Sequence, residues 1–394
     1  MTDLVLDHVG RRQSVAAAVD DWCDRARPGE LATQGRALAR LMRSGERWQP
    51  RLFPAALAIA RTPGSGVNLG AMLSALSELP VAGDTHPWPF DPAVNRAAFD
   101  ALSYAEASAG IARTQRANRE GWYAHADRHR ALILDAAAMT RGHRLAVVLG
   151  AGKAFDLPLA ELAQRFERVI AVDIDAQALD ATLAAVVKNP ALRRRIVPVA
   201  MDVSGVSAYL ARGIEGAIGS SADGETARSR IAELCASYRL LRAPKLVPQG
   251  ERADLLVSGM VLTQLALQAK LGAHERYVRR FGELPPEAAT RWAWAWDELD
   301  LRMQQDHVNA LLDDADLAVL SSDVAQHCLP LPGQRPTESW LTAGSDTLAE
   351  RLPGYVVPLW RARWSWPRIA PRPPTHHGVR SDVDGLILRL QRPR

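Results

Sequence analysis

Lysine is scarce in this sequence. Only Lys153, Lys188, Lys245 and Lys270 occur in 394 residues, and arginine carries the rest of the positive charge. The arginines are dispersed among Asp and Glu, and the net charge is +4. A nucleic-acid binder more often gathers its basic residues into a stripe. The run Arg193-Arg194-Arg195 reads as a solvated helix end, and charge alone does not choose the partner. Three cysteines, Cys23, Cys235 and Cys328, lie far apart, which excludes a CxxC pair and an even disulfide framework. No apolar run approaches the ~20 residues that cross a bilayer. Residues 1–14 lack the basic and apolar regions of a signal peptide. The expectation is a soluble, cytoplasmic protein without membrane partners. What remains is ordinary globular composition, 47% hydrophobic and 23% charged, on a chain long enough for two domains.

The first 140 residues are rich in Ala, Leu and Arg at helical spacing, as at Leu38, Leu41 and Met42. Gly64-Ser65-Gly66 breaks two such stretches, and the three prolines of Asp84–Pro92 require a loop. A further helical stretch runs from Val94 to Met139, with a break expected near Gly121. The character then changes. Arg144–Gly150 is a short apolar run ending in glycine, which suits a buried parallel strand. Similar runs recur at Val169–Val172, Ile196–Ala200, Asp254–Ser258 and Leu317–Ser321, with helical stretches between them, and this alternation predicts right-handed βαβ units. Val356–Arg363 and Leu386–Leu390 read as two more strands. Only the loop Pro367–Arg380 separates them, so they pair as an antiparallel hairpin. The predicted architecture is α/β, a Rossmann-like sheet with a terminal antiparallel hairpin. An all-helical N-terminal domain, residues 1–120, precedes a domain of residues 121–394.

Residues 147–175 carry the densest signal. A strand runs into Gly150-Ala151-Gly152, where missing side chains let backbone N–H groups approach a ligand. Asp156 is a candidate helix N-cap, with Pro158 in the first turn of the helix Leu159–Phe166. The second strand delivers Asp173, followed by Ile174, at its carboxyl end. A carboxylate there can accept both ribose hydroxyls of an adenosine ligand. A dinucleotide fingerprint would need a third glycine where Phe155 stands, which argues against a nicotinamide cofactor.

This stretch resembles motif I and the following acidic strand end of class I S-adenosylmethionine-dependent methyltransferases, and the likeness spans roughly residues 125–394. The resemblance implies a seven-stranded sheet, S-adenosylmethionine as cofactor, and a glycine turn facing the methionine portion. It implies that Asp202 accepts from the adenine amino group while Val203 packs on the ring. It further implies that Ser258, Gly259 and Met260 line the reaction centre. Two departures stand out. Ala154 replaces a common third glycine, which is tolerable if its φ stays negative. The fourth strand lacks the Asn/Asp-Pro-Pro-Tyr/Phe signature of enzymes that methylate exocyclic amines of bases or glutamine amides.

Methyl transfer to oxygen or nitrogen needs the acceptor positioned and its proton taken, and histidine is the usual base. His307 continues the apolar stripe Trp292, Trp296, Leu299, Met303, and is the first candidate, with a core histidine as the plain alternative. His327 follows the fifth strand and is the second; Asp323 shares that edge. His125 and His129 stand four apart on a helix without the Glu of a HExxH motif, and read as surface or cofactor-cleft residues. Trp122 and Tyr123 beside them are candidates to cover the cofactor. His376-His377 lack ligand partners at metal spacing, and no metal is expected. Trp364 and Trp366 alternate onto one strand face. The sequence favours a small-molecule acceptor. A methyltransferase acting on RNA or protein through the helical domain, or a non-catalytic S-adenosylmethionine-binding protein, are the alternatives. Oligomeric state is open.

Overall fold

A computed structural model of the chain describes residues 2–44, 53–77, 92–238, 245–248, 250–329, 339–342, 347–353, 356–369 and 378–389. Packing divides the chain into two units, residues 1–84 with 236–242 and residues 85–235 with 243–394. None of the helices among the described residues is long and apolar enough to cross a membrane.

Among the described residues, the first unit contains the helices α1 (Thr2–Arg25), α2 (Glu30–Ser44), α3 (Phe53–Arg61) and α4 (Leu69–Ser77). Helical spacing explains α2, which buries Ala32, Gly35, Leu38, Ala39 and Met42 on one stripe and leaves its charges outside. Val19 of α1, Ile59 of α3 and Met72 of α4 complete that core. Gly64 and Gly66 break α3 from α4 with φ of 75° and 73°.

The second unit opens with three helices, α5 (Pro92–Ala101), α6 (Tyr104–Ala117) and α7 (Arg119–Met139). The breaks fall at Ser103, whose φ is 55°, and at Asn118. Gly121 breaks nothing. It lies inside α7, where a Cβ would stand 2.2 Å from the Pro367 carbonyl, so the glycine serves the close approach of α7 to the sheet. The chain then alternates as β1 (Leu145–Leu149), α8 (Leu159–Arg165), β2 (Arg168–Asp173), α9 (Ala176–Val186), α10 (Pro190–Arg193), β3 (Ile196–Ala200), α11 (Ser207–Gly219), α12 (Gly224–Ser237), β4 (Leu255–Gly259), α13 (Leu267–Phe281), α14 (Pro286–Asp314) and β5 (Ala318–Leu329). Three strands close it: β6 (Ser339–Leu341), β7 (Pro358–Ile369) and β8 (Gly378–Leu388).

The sheet order is β3-β2-β1-β4-β5-β8-β7, with the short β6 paired to β5 alone. The first five strands of that path are parallel; β8 runs antiparallel to both β5 and β7. Every residue of β1 and β4 is buried, as both faces of a parallel sheet must be. On one face α7 packs Leu132, Ile133 and Ala136 against Val148, Val257 and Val319. The other face is covered by α14, whose stripe Trp292, Trp296, Leu299, Met303 and His307 is buried throughout.

Strand β5 outruns its apolar signal. The run stops at Ser321, yet pairing with β8 continues to Leu329, so Asp323 and His327 lie inside the strand. The polar residues from Ser322 to His327 hide the strand because their backbone, and not an apolar side-chain pattern, holds them in the sheet. A register shift between Asp323 and Ala325 marks a β-bulge there.

Candidate active site

A cavity of about 280 Å³ opens at the carboxyl edge of the parallel strands, the usual ligand position in an open α/β sheet. The turn after β1 forms part of its wall. Gly150 adopts φ 67°, and a Cβ there would stand 2.4 Å from Val261 Cγ2. The turn is tied to β2 by the Ala151 N–H, which donates to the Val172 carbonyl at 2.9 Å.

Asp173 ends β2 beside this turn. Its Oδ2 accepts the Gly152 N–H and its Oδ1 the Asp175 N–H, each at 2.8 Å. The Ile174 N–H also bears on this carboxylate, which still lines the cavity. Burial pushes its carboxyl up to about 6, against the opposing pull of those N–H groups. Asp202, after β3, accepts from the Ser204 N–H and hydroxyl and from the Ser207 N–H, so it shapes its own turn while lining the cavity. Helices α5 and α6 reach the same edge: Asn95 donates to the Ile174 carbonyl at 3.3 Å, and Lys153 to the Ser108 carbonyl at 3.2 Å.

The opposite wall is aromatic and acidic, built from Trp122, His125, Phe155, Asp156, Asp323 and Trp366. Helical spacing places Trp122, His125 and His129 on one face of α7, turned to the sheet. The Trp364 indole N–H lies 3.0 Å from His125 Nδ1. Indole only donates, so Nδ1 accepts and the His125 proton sits on Nε2, which faces Asp156 at 3.5 Å. His129 Nδ1 meets the same Asp156 oxygen at 2.7 Å, and Ser321 Oγ lies 2.8 Å from its Nε2. Both imidazoles therefore aim N–H groups at one carboxylate. Burial alone would raise Asp156; the two histidines outweigh it and hold the carboxyl well below the usual range. Burial lowers His125 against the pull of Asp156.

These donor atoms lie within 4.8 Å of one another, a distance that suits a metal ion. The proton pattern does not suit one. A metal on His125 Nε2 would move the proton to Nδ1, leaving two N–H groups facing each other across the 3.0 Å to Trp364. The trio is a hydrogen-bond network that clamps the loop after β1 to α7.

Five parallel strands in the order 3-2-1-4-5, an antiparallel ending, and a glycine turn at the end of β1 are now in view together. This is a Rossmann-like α/β sheet closed by an antiparallel pair, the architecture that the resemblance to class I methyltransferases implied. No protein-family profile matches the chain, and no curated protein matches it by sequence. Among solved structures it is similar to the glycopeptide N-methyltransferase MtfA complexed with (S)-adenosyl-L-methionine. That likeness has 11% identity and a TM-score of 0.30, and covers 67% of this chain and 94% of that chain.

Within this fold, the structure brings Gly150, Gly152, Asp156, Asp173, Ile174, Asp202, Val203, Gly259 and Met260 to the cavity. Ala151 is buried behind the turn. Ser258 and His307 do not line the cavity. Side chains alternate along β4, so Ser258 points to the face opposite Val257 and bonds His307 of α14 at 2.8 Å. Burial without a charged partner lowers His307 to about 4. His327 also lies away from the cavity, between Ser339 Oγ at 2.9 Å and Asp382 at 3.0 Å. Asp156 does not cap α8. Pro158 occupies the N-cap, and the Asp156 carboxylate is spent on the histidines. Ala154 departs from the expected negative φ; it stands at 44°, and Met260 at the end of β4 at 59°. Both sit in a region that costs L-residues about 1–2 kcal/mol, and both line the cavity. Tyr123 is exposed, whereas Trp122 lines the wall. His376 and His377 lie outside the described residues.

Two wall residues, Asp323 and Trp366, come together only in three dimensions. In the sequence Asp323 is marked by its place at the edge after the fifth strand, and Trp366 by the 364/366 alternation, which puts both tryptophans on the buried face of β7.

Proposed function

We propose that the protein is an S-adenosylmethionine-dependent methyltransferase with a small-molecule acceptor. One observation carries the reading. The Gly150–Gly152 turn, Asp173, Asp202 and the Gly259–Met260 strand end, from four separate parts of the chain, meet in one cavity at the carboxyl edge of the sheet.

The residues present fit the adenosyl group. Asp173 presents its carboxylate to the cavity where ribose hydroxyls would bind, and Asp202 has one lone pair left after its three turn contacts. Val203 offers an apolar contact for the adenine ring, and the turn at Gly150 leaves room for the methionine portion. When bound, S-adenosylmethionine supplies a methyl group activated on sulfonium. The chain's own task is to orient an acceptor against Gly259 and Met260, exclude water and manage the acceptor proton. The aromatic wall of Trp122, Phe155 and Trp366 supports an enclosed small molecule over a macromolecular surface.

Calorimetry of the full chain with S-adenosylmethionine tests the cofactor. Binding is expected in the wild type and loss of at least about a hundredfold in Asp173→Ala, since two hydrogen bonds to a charged acceptor disappear. Unchanged affinity in that variant would sink the assignment. Incubation with methyl-labelled cofactor and a host extract fractionated by size then separates acceptor classes; label confined to the macromolecular fraction argues against a small molecule.

A further inference from the structure

We infer that the aromatic end of this cavity is an ammonium subsite, and that the methyl acceptor is an amine that enters as a cation and is held by Asp323. The inference rests on the methyltransferase reading for its chemistry but on separate residues for its geometry.

Asp323 is 2% exposed and lines the cavity, yet no Lys or Arg among the described residues pairs with it. Its oxygens accept from neutral groups only, the Thr263 hydroxyl at 2.6 Å and the Gln326 amide at 2.6 Å. A buried carboxylate without a cationic partner is costly, and two neutral hydrogen bonds leave half its lone pairs open. A cationic ligand completes such a site.

The backbone around Asp323 is arranged to present it. The register of β5 against β8 shifts just after Asp323. Thr342 takes up the released groups, its hydroxyl donating to the Asp323 carbonyl at 2.6 Å and its N–H to the Val324 carbonyl at 3.0 Å. Bulges of this kind re-aim side chains beside active sites. In register Asp323 stands in one row with Val383 and Trp364, so its side chain shares their face, the one that α7 and Trp366 cover.

The surroundings tolerate a cation, and the cationic side chains that line the cavity, Lys153 and Arg368, are engaged away from Asp323: Lys153 donates to the Ser108 carbonyl and Arg368 lies over Trp366. Trp366 is already engaged, by the His125 ring stacked at 4.1 Å, by the Trp122 ring edge-on at 4.7 Å and by the Arg368 guanidinium 5.5 Å from its centroid. Trp122 and Phe155 remain as the aromatic wall. His125 is uncharged and its one lone pair is engaged by Trp364. In the transfer step the bound ammonium passes one proton to the Asp323 carboxylate. The freed nitrogen lone pair forms the N–CH3 bond while the CH3–S bond breaks, its electron pair staying on sulfur. The methylated ammonium product leaves, and Asp323 returns its proton to water.

The test uses the full chain and three probes of matched shape: phenethylamine, 2-phenylethanol and 3-phenylpropionate. Affinities are measured by calorimetry with and without S-adenosylhomocysteine. The amine is expected to bind about tenfold tighter than the alcohol and tighter still than the carboxylate, and Asp323→Asn to bring it down to the alcohol's level. Equal binding of amine and alcohol, preference for the carboxylate, or no amine binding at millimolar concentration overturns the inference. So does an Asp323→Asn variant that weakens S-adenosylmethionine but neither S-adenosylhomocysteine nor the amine, because the carboxylate then serves the sulfonium. If Asp323→Asn fails to fold, the wild-type comparison decides alone. Failure of S-adenosylhomocysteine to bind, with the amine preference intact, removes the methyltransferase reading and leaves the subsite standing.

Discussion

Acidification is expected to weaken S-adenosylhomocysteine binding through a single carboxylate, Asp173. Burial pushes that carboxyl up to about 6, so it changes charge inside the accessible range. Ionised, it offers each ribose hydroxyl an acceptor while still holding the Gly152 and Asp175 N–H groups. Protonated, it loses one acceptor position and its charge. About nine-tenths of the sites are ionised near pH 7 and about one-tenth near pH 5, so the affinity should fall about tenfold between them, near 1.4 kcal/mol. Binding selects the ionised form and must therefore expel a proton, about half a proton per site at pH near 6. Folding of the ligand-free protein has the opposite preference. A carboxyl raised in the folded state contributes stability at low pH that is lost as pH rises through about 6. Calorimetry in buffers of different ionisation enthalpy measures both the affinity and the proton count. Affinity flat from about pH 8 to about pH 5, or proton uptake on binding, would refute the assignment of Asp173 as the ribose acceptor.

Two further perturbations address the turn and the distant histidine. Gly150→Ala places a Cβ against Val261 at a φ of 67° and should cost about 2 kcal/mol or more in stability, with S-adenosylhomocysteine binding weakened at least about tenfold; an unchanged denaturation midpoint argues against the tight turn. His307, held near 4, stays neutral in the folded protein while the unfolded chain takes up a proton below its ordinary value of 6.5, so stability is lost as pH falls through that window, by up to about 3 kcal/mol. His307→Gln should remove that part of the acid slope and leave cofactor affinity intact; an affinity loss of about tenfold would return His307 to the site.

The cofactor half of the cavity was legible because its parts are local. An apolar run, a glycine turn and an acidic strand end follow one another within residues 147–175, and strand burial alone generates that order. The hairpin was legible because no helix separates its strands. The aromatic wall was legible only in part: Trp122, His125 and Asp323 stood out singly, but the contacts that join them are long-range. Trp364 meets His125 across 239 residues of chain, and Ser321 meets His129 across 192. The length of β5 beyond Ser321 was hidden for a related reason, since polar side chains ride on a backbone held by β8 and β6. His307 shows how one period supports two readings. The stripe that singled it out is the stripe that faces the sheet, and the i, i+4 spacing from Met303 places it in the core of α14.

The direction of the hydrogen bonds, more than the identity of the side chains, limits what this cavity can do. Histidine is the usual base for methyl transfer, and two histidines stand at or beside the aromatic wall. Yet the Trp364 indole occupies the His125 lone pair, and Ser321 sits at His129 Nε2. Both rings point their protons at Asp156, which is held ionised by them and has no reason to take a proton from a ligand. Among the wall carboxylates, only Asp323 combines burial, a place at the cavity and neutral partners. A hydroxyl acceptor would demand a strong base, and neither histidine offers it a free lone pair. An amine needs only to shed one proton before its own lone pair attacks, which a carboxylate in contact with it can receive. If the cavity holds a methyl acceptor, the network on α7 leaves Asp323 as its proton acceptor, in line with the amine proposed for that site.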